Sequence, residues 1–169
     1  MYIGFQGEKI TFYTENVLSE YDMQLHCIDK LEYTEDEYIK VDDEYVLKTD
    51  EKAVNQAKEA KVIENDTARD EALNQGVEYK GVLFDSDTDQ KVNLLAMVSV
   101  MDDEQTIIWY GKDNQPLECD KQDLINIGGL ITLLHSFCWN KNAEIKALIN
   151  RASTIEDVEN IEIDYSEEV

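Results

Sequence analysis

The first 48 residues show the short, alternating apolar and polar runs that are typical of β-strands. In "EKITFYTE", Ile10 and Phe12 fall on the same face, as the two-residue period of a strand requires. The run "EYIKVDDEYVLK" predicts a hairpin that turns at Asp42-Asp43. We therefore expect a small strand-rich region over residues 1–48.

Residues 50–75 contain good helix formers and neither glycine nor proline. Gly76 follows, where glycine commonly closes a helix. The apolar residues are small and sparse, with an alanine stripe that runs from Ala53 to Ala72, so the helix buries little on its own. We predict a helical connector over 49–76. It is either a lightly packed surface helix or a spacer that pairs with another copy, which makes residues 50–75 a candidate homo-oligomer interface.

Apolar residues concentrate between Val77 and Ala152. "VEYKGVLFDSD" predicts a strand or a hairpin broken at Lys80-Gly81, and "TIIWYGKDNQPLECD" predicts a β-hairpin. A helix between these segments is predicted after Asp87. Its apolar spacing assigns one buried face to Val92, Leu95, Ala96 and Val98.

A long helix is predicted from Asp120, a favourable N-cap, to about Ala152. Gly128 and Gly129 inside it cost about 1 kcal/mol each relative to alanine. Such glycines are usually compensated by the close approach of another backbone. A short capped helix at "STIEDVENI" and an acidic tail over 164–169 follow.

Together these patterns predict an α+β fold. A strand-rich N-terminal part is joined by a connecting helix to a C-terminal domain over 77–163, in which a β-hairpin packs on two helices, one of them long.

The formal net charge of −23 disfavours both nucleic acid and anionic membranes as partners. The longest apolar region, Leu124 to Trp139, is too short and too polar to span a bilayer, and the N-terminus lacks the pattern of a signal peptide. Three widely spaced cysteines fit no disulfide framework, so we expect a reducing, cytosolic compartment.

The stretch "FDSDTDQKVNLLA" places carboxylates at alternate positions, as a calcium loop of the EF-hand type does. Counted from Asp85, however, position 6 is Gln90 instead of glycine and position 12 is Ala96 instead of glutamate. The same residues fit a helix start with Asp87 as its N-cap. We therefore predict a helix start and no calcium site.

His135 and Cys138 share a helix face, a spacing that can serve a metal or a Cys-His pair. Their apolar neighbours favour ordinary packing instead. The chain has no phosphate-binding, nucleophile-elbow or zinc-protease motif. We predict no catalytic residue, no cofactor and no metal, hence no enzyme.

Aromatic residues are the remaining candidates for partner binding. Packing in the core is favoured for Trp109, whereas Trp139 is equally suited to the core or to a partner. The candidate partner-binding residues are Trp139, Phe137, Trp109, Tyr38 and Tyr45.

Three segments carry a resemblance to a known domain: "YKGVLFDSD", "IIWYGKDNQPLECDKQDL" and "IKALINRASTIEDVENI". Over residues 77–163 the chain resembles an uncharacterised domain of bacteriophage and prophage tail proteins, found with tail-fibre assembly proteins. The long helix departs from that pattern in carrying two glycines and bulky residues.

The resemblance implies a non-enzymatic, chaperone-like accessory protein that binds a tail-fibre or other tail subunit during fibre assembly or attachment. The alternative is a structural component of the tail tip or fibre base. We expect to find the protein in the bacterial host cytoplasm during assembly, or in the virion or a phage-tail-like particle.

Overall fold

The computed structural model, which describes residues 1–166, contains small antiparallel sheets and helices of very different length. This confirms the predicted α+β class.

The chain separates into two compact units, one of Met1–Val62 and Leu148–Ile161, the other of Ile63–Ala147 and the segment from Glu162 onward. The predicted segments 1–48, 49–76 and 77–163 do not coincide with these units. The reason is that two long helices, α2 (Glu51–Gln75) and α4 (Lys121–Arg151), contribute residues to both. The predicted tail 164–169 lies partly outside the described residues.

The first unit begins with a three-stranded sheet. Its central strand β1 (Tyr2–Gln6) pairs antiparallel with β2 (Lys9–Thr14) and with β3 (Lys30–Tyr33). Between β2 and β3 lies a short helix, α1 (Glu20–Leu25), where the sequence pattern had predicted strands and turns. The Ser19 hydroxyl accepts the Asp22 amide, and the Asp22 carboxylate accepts the Ser19 amide. This capping box explains why a helix forms in an otherwise strand-rich region.

The predicted second hairpin is confirmed as β4 (Tyr38–Val41) and β5 (Glu44–Leu47). Asp42 occupies the left-handed region in the turn, with φ 56°, which aspartate tolerates better than most residues. The hairpin, the first turns of α2 and the short helix α5 (Ile155–Glu159) share a small core. Its buried members are Val41, Ala53, Val54 and Ile155.

The second unit contains the larger core. Two hairpins, β6 (Val77–Tyr79) with β7 (Val82–Phe84) and β8 (Thr106–Tyr110) with β9 (Pro116–Asp120), are joined by α3 (Thr88–Val100) and followed by α4. Of the two alternatives at Lys80-Gly81, the structure shows the hairpin, with these residues in the turn between β6 and β7. The fully or nearly fully buried core residues are Val77, Val82, Phe84, Leu94, Met101, Cys119, Leu124, Ile127 and Ile131.

Helix α2 ends as predicted, because Gly76 adopts φ 86° directly after it. The alanine stripe is directed mostly inward, since Ala53 and Ala72 are buried. The exposed face of α2 carries carboxylates such as Glu59 and Glu71. A homo-oligomer through residues 50–75 stays a prediction, and it would have to form on this charged face.

The buried face predicted for α3 is wrong. Leu94 is the buried residue of this helix, whereas Val92, Leu95 and Ala96 are exposed. The helix is apolar on nearly all sides, so periodicity alone does not identify the side that packs. Contact with the core selects Leu94, with Met97 and Val98 partly buried beside it.

Candidate protein-binding surface

The start of α3 is set by Asp87, as predicted. Its carboxylate accepts the amide of Gln90 at 2.7 Å, the bond of an N-cap. Within residues 1–166 no group of three or more histidine, cysteine, aspartate or glutamate side chains is arranged to hold a metal ion. The stretch that resembles a calcium loop therefore positions α3.

The start of α4 is held by a buried carboxylate. Asp123 accepts hydrogen bonds from the Tyr79 hydroxyl at 2.8 Å and from Lys80 Nζ at 2.7 Å. The Asp123 amide donates to Asp120 Oδ1 at 2.7 Å, which confirms Asp120 as a capping residue. The Lys80 ammonium, with help from the Tyr79 hydroxyl, lowers the pKa of Asp123. These contacts fix α4 to the β6–β7 turn.

A groove of about 340 Å³ lies between α3 and α4. Both helices supply its walls, and all of its residues belong to the second unit. We call it the α3–α4 groove; it is lined by Lys91, Leu94, Leu95, Val98, Leu124, Ile125, Gly128 and Thr132.

The α3–α4 groove contains no carboxylate, although the protein carries 38 acidic residues. Leu94 and Leu124 form a buried floor, while Leu95 on the rim is 72% exposed and Ile125 is 45% exposed. Interaction sites typically expose large apolar side chains beside an open groove. The groove is therefore suited to an apolar segment of another polypeptide.

The larger clefts of the first unit have a different chemistry. One lies beside α5 and is lined in part by Asp36, Glu37, Glu156 and Glu159. The carboxylates of this cleft are hydrated, and an apolar partner would have to displace that water. The α3–α4 groove is the stronger candidate for this reason.

Trp139, a predicted partner-binding residue, lies on the exposed side of α4 and is 53% exposed. The Arg69 guanidinium carbon lies 4.3 Å from the centroid of its ring. Arg69 in turn donates to Asp66 at 2.9 Å and to Asp70 at 2.7 Å. The indole is thus held in place on the surface, while the neighbouring Phe137 is half-buried.

The other predicted residues are not part of this surface. Trp109 packs against the core of the second unit, and its buried Nε1 has no hydrogen-bond partner within residues 1–166. Tyr38 and Tyr45 lie in the first unit, where both rings contact Tyr13, with centroids 5.6 and 6.1 Å apart. Of the five predicted residues, Tyr38 and Tyr45 belong to the first unit, whereas Trp109, Phe137 and Trp139 belong to the second.

His135 and Cys138 of α4, and Cys119 of β9, take part in hydrogen bonding or packing within the second unit. His135 Nε2 donates to the Ser86 carbonyl at 2.6 Å, and Cys138 is fully buried. Burial raises the pKa of the Cys138 thiol, and it raises the pKa of the Cys119 thiol to about 11. Neither thiol is poised to react as a thiolate at neutral pH.

Leu95 was not predicted at the surface, because the apolar spacing of α3 assigned it to the core, and the sequence pattern gave no separate role to Ile125 of α4. One sequence signal does point to them. No charged residue occurs between Asp123 and Lys141, which is unusual for a helix whose outer side faces solvent.

None of the helices within residues 1–166 combines the length and apolarity needed to span a bilayer. No curated protein and no solved structure matches the chain. A family model described as "Domain of unknown function (DUF4376)" matches residues 56–167, well over half of the chain. The chain therefore belongs to the DUF4376 family.

Proposed function

We propose that this protein is a non-enzymatic accessory protein of a bacteriophage or prophage tail. It binds an apolar segment of a tail-fibre or other tail subunit in the α3–α4 groove during assembly or attachment. The observation that carries the proposal is the exposed apolar rim of the groove, formed by Leu95 and Ile125. The tail context rests on the resemblance of residues 77–163.

The distribution of charge supports a binding role. A net charge of −23 keeps the rest of the surface hydrated. An apolar segment that enters the groove loses contact with water and gains contact with Leu94, Leu95 and Leu124. Such a protein would hold an aggregation-prone partner in solution without making or breaking a bond.

The proposal is tested by photo-crosslinking in cells that produce the particles. A benzophenone amino acid replaces Leu95, and a control chain carries it at Glu71, which is exposed on α2. We expect a crosslink to a tail subunit from position 95 only, identified by mass spectrometry. Equal crosslinking from both positions, or a position-95 product that contains no tail protein, would refute the proposed function.

A second measurement distinguishes transient capture from permanent assembly. Purified particles are analysed for this chain by mass spectrometry. Its absence from particles, combined with a crosslink in cells, is expected for an assembly factor. Its presence in stoichiometric amounts would instead identify a component of the tail tip or fibre base.

Leu95→Glu is expected to weaken capture of the crosslinked subunit at least about tenfold, because burial of a leucine contributes about 1.5–3 kcal/mol. The fold should remain intact, since exposed substitutions change stability by about 0.5 kcal/mol or less. Affinity is measured by titration with the purified subunit, and stability by urea unfolding.

Val100→Glu is the matched control. Val100 is 74% exposed on the same helix and does not line the α3–α4 groove, so the same negative charge replaces an exposed aliphatic side chain outside the proposed site. Equal loss of affinity in both variants would show that added charge acts from a distance and that the groove is not the contact.

A further inference from the structure

One strand edge of the second unit has no neighbouring strand. The β8–β9 hairpin is a two-stranded sheet, so within residues 1–166 β8 is paired on one side only. Its sequence, "TIIWY", contains no charged residue and no proline, and all five residues are of types that favour β-structure. An apolar edge of this kind is open to pairing with another extended chain.

The hydrogen bonds at the hairpin turn show which backbone groups of β8 point outward. The Gly111 amide donates to the Gln115 carbonyl at 2.8 Å, and directly bonded pairs recur at every second position of an antiparallel ladder. The residues of β8 that bond to β9 are therefore Ile107 and Trp109. The amides and carbonyls of the alternate residues point away from β9. We call these residues the β8 edge: Thr106, Ile108 and Tyr110.

Nothing within residues 1–166 pairs with the β8 edge. No other part of this range makes a hydrogen bond to the amide or carbonyl of its three residues, and all three are exposed, Ile108 at 52% and Tyr110 at 60%. The free stretch ends at Lys112, whose amide donates to the Leu83 carbonyl of β7 at 2.7 Å. An incoming strand of about five residues, roughly 17 Å long, would fit before this point.

Every other edge strand within residues 1–166 is protected against such pairing. A charged side chain occurs in each of β2, β3, β4, β5 and β6. Strand β7 has only three residues, and its Leu83 carbonyl is occupied. Strand β9 begins with Pro116, which has no amide hydrogen, and its Asp120 amide donates to Asp123 Oδ2 at 3.3 Å. Charge, proline and short length are usual protections of a sheet edge, and β8 has none of them.

The charges beside the β8 edge specify its partner further. Asp102, Asp103 and Glu104 are exposed in the turn that precedes β8, so the Thr106 end of the edge is negative. Asp103 pairs with Lys121 at 2.9 Å, whereas the other two carboxylates have no ion pair within residues 1–166. A basic side chain at this end of an incoming strand would be attracted to them, and the uncharged centre of the edge favours an uncharged stretch.

We propose that the β8 edge binds an extended segment of another protein, which adds as a third strand beside β8. The segment has an uncharged, β-prone centre and a lysine or arginine at the end next to Asp102 and Glu104. Its backbone supplies the hydrogen bonds that the β8 edge lacks, as in other cases of strand addition. A second copy of this chain is a poorer occupant, because each copy carries a net charge of −23.

Amide hydrogen exchange, measured by NMR on the full-length chain, tests the edge directly. The amides of Ile107 and Trp109 should exchange slowly, because they donate to β9, whereas those of Thr106, Ile108 and Tyr110 should exchange fast. The probe is a peptide of about seven residues, a lysine followed by alternating valine and threonine. At saturation we expect the three fast amides to slow at least about tenfold.

Two changes to the peptide test how it is recognised. N-methylation of its valine and threonine residues keeps the side chains and removes the backbone donors, so its Kd should rise at least about tenfold. Side-chain contact alone would tolerate this change. Glutamate in place of the lysine should raise the Kd at least about fivefold, because it faces the carboxylates that precede β8.

Proline variants of the two hairpin edges provide a matched pair. Ile108→Pro removes one outward amide from β8 without removing a bond to β9, and it should weaken peptide binding at least about tenfold. Glu118→Pro is the control, because Glu118 faces Ile108 across the hairpin and its amide points to the opposite edge. Binding by this control should remain within about threefold of the unmodified chain, and urea unfolding shows that each variant remains folded.

Several results would overturn the inference. Absence of peptide binding up to about 2 mM, equal binding of the N-methylated peptide, or equal losses in the two proline variants would each show that β8 does not add a strand. Equal binding of the glutamate peptide would refute the basic end. Slowing of the three fast amides as protein concentration rises, without peptide, would identify a second copy as the occupant.

The inference goes beyond the proposed function and is independent of it. The α3–α4 groove and the β8 edge have no residue in common. The groove contacts apolar side chains of a partner, whereas the edge recognises an extended backbone. No result with the peptide alters the expected crosslink from Leu95, so this inference and the proposed function fail separately.

Discussion

Phe84→Ala is expected to lower the free energy of unfolding by about 4 kcal/mol. The Phe84 side chain is fully buried in the core of the second unit and pairs across the β6–β7 hairpin with Val77. Its removal leaves a cavity among residues that cannot collapse fully, because both strands are fixed by their pairing. Such a loss is a large part of the 5–15 kcal/mol by which a domain is typically stable.

The measurement is urea unfolding followed by tryptophan fluorescence. Both tryptophans, Trp109 and Trp139, belong to the second unit, so the signal reports on the unit that contains Phe84. Tyr110→Ala is the matched control: Tyr110 is an exposed aromatic residue of β8, and its loss should cost less than about 1 kcal/mol. Equal losses in the two variants would contradict the central place of Phe84 in this core.

Helix limits were predictable because the signals that set them are local. Asp87 and Asp120 cap α3 and α4 through their own side chains, and Gly76 supplies the left-handed backbone after α2. Each signal needs only its near neighbours in sequence. The sequence therefore predicted these boundaries to within a residue or two.

The division into units was not predictable in the same way. The first unit combines Met1–Val62 with Leu148–Ile161, residues that are far apart in the chain. Its β1–β3 pairing also joins strands that are separated in the chain by β2 and α1. Such pairings are decided by tertiary packing, and a local pattern contains little information about them.

The candidate site was only partly predictable. The sequence identified Trp139 as a surface anchor or core residue, and the structure places it on the surface. It misplaced Leu95, because α3 carries apolar residues on several sides and only the core determines which side packs. An exposed leucine is recognised as unusual only after the buried ones are known.

Asp123→Ala is expected to lower the free energy of unfolding at pH 7 by about 3 kcal/mol, since it removes charge-assisted hydrogen bonds in a buried position. The Asp123 carboxylate accepts from Tyr79 and Lys80 and, at 3.3 Å, from the Asp120 amide. Alanine leaves the Tyr79 hydroxyl and the first turn of α4 without this acceptor.

The loss of stability caused by Asp123→Ala should become smaller as the pH is lowered. The Lys80 ammonium lowers the pKa of Asp123 in the folded state, so the unfolded chain takes up the proton first as pH falls. A group with a lowered pKa contributes stability above its ordinary pKa of about 4 and loses it as pH falls through the folded value. The difference in stability between the unmodified chain and Asp123→Ala should therefore be constant from pH 7 to pH 5 and decrease below about pH 4.

Lys80→Met separates the ion pair from the remaining contacts, because it removes the ammonium and retains a long side chain. With Asp123→Ala it forms a double-mutant cycle, which we expect to show a coupling energy of about 1 kcal/mol at pH 7. Lys80 is half exposed, so water screens part of the attraction, and added salt should reduce the coupling.

In the Lys80→Met chain the pKa of Asp123 should rise toward its ordinary value, which is measured by NMR titration of the carboxyl carbon. An unchanged titration in that variant would show that Lys80 does not control this carboxylate, and that its bonds with the Tyr79 hydroxyl and the Asp120 amide set its titration.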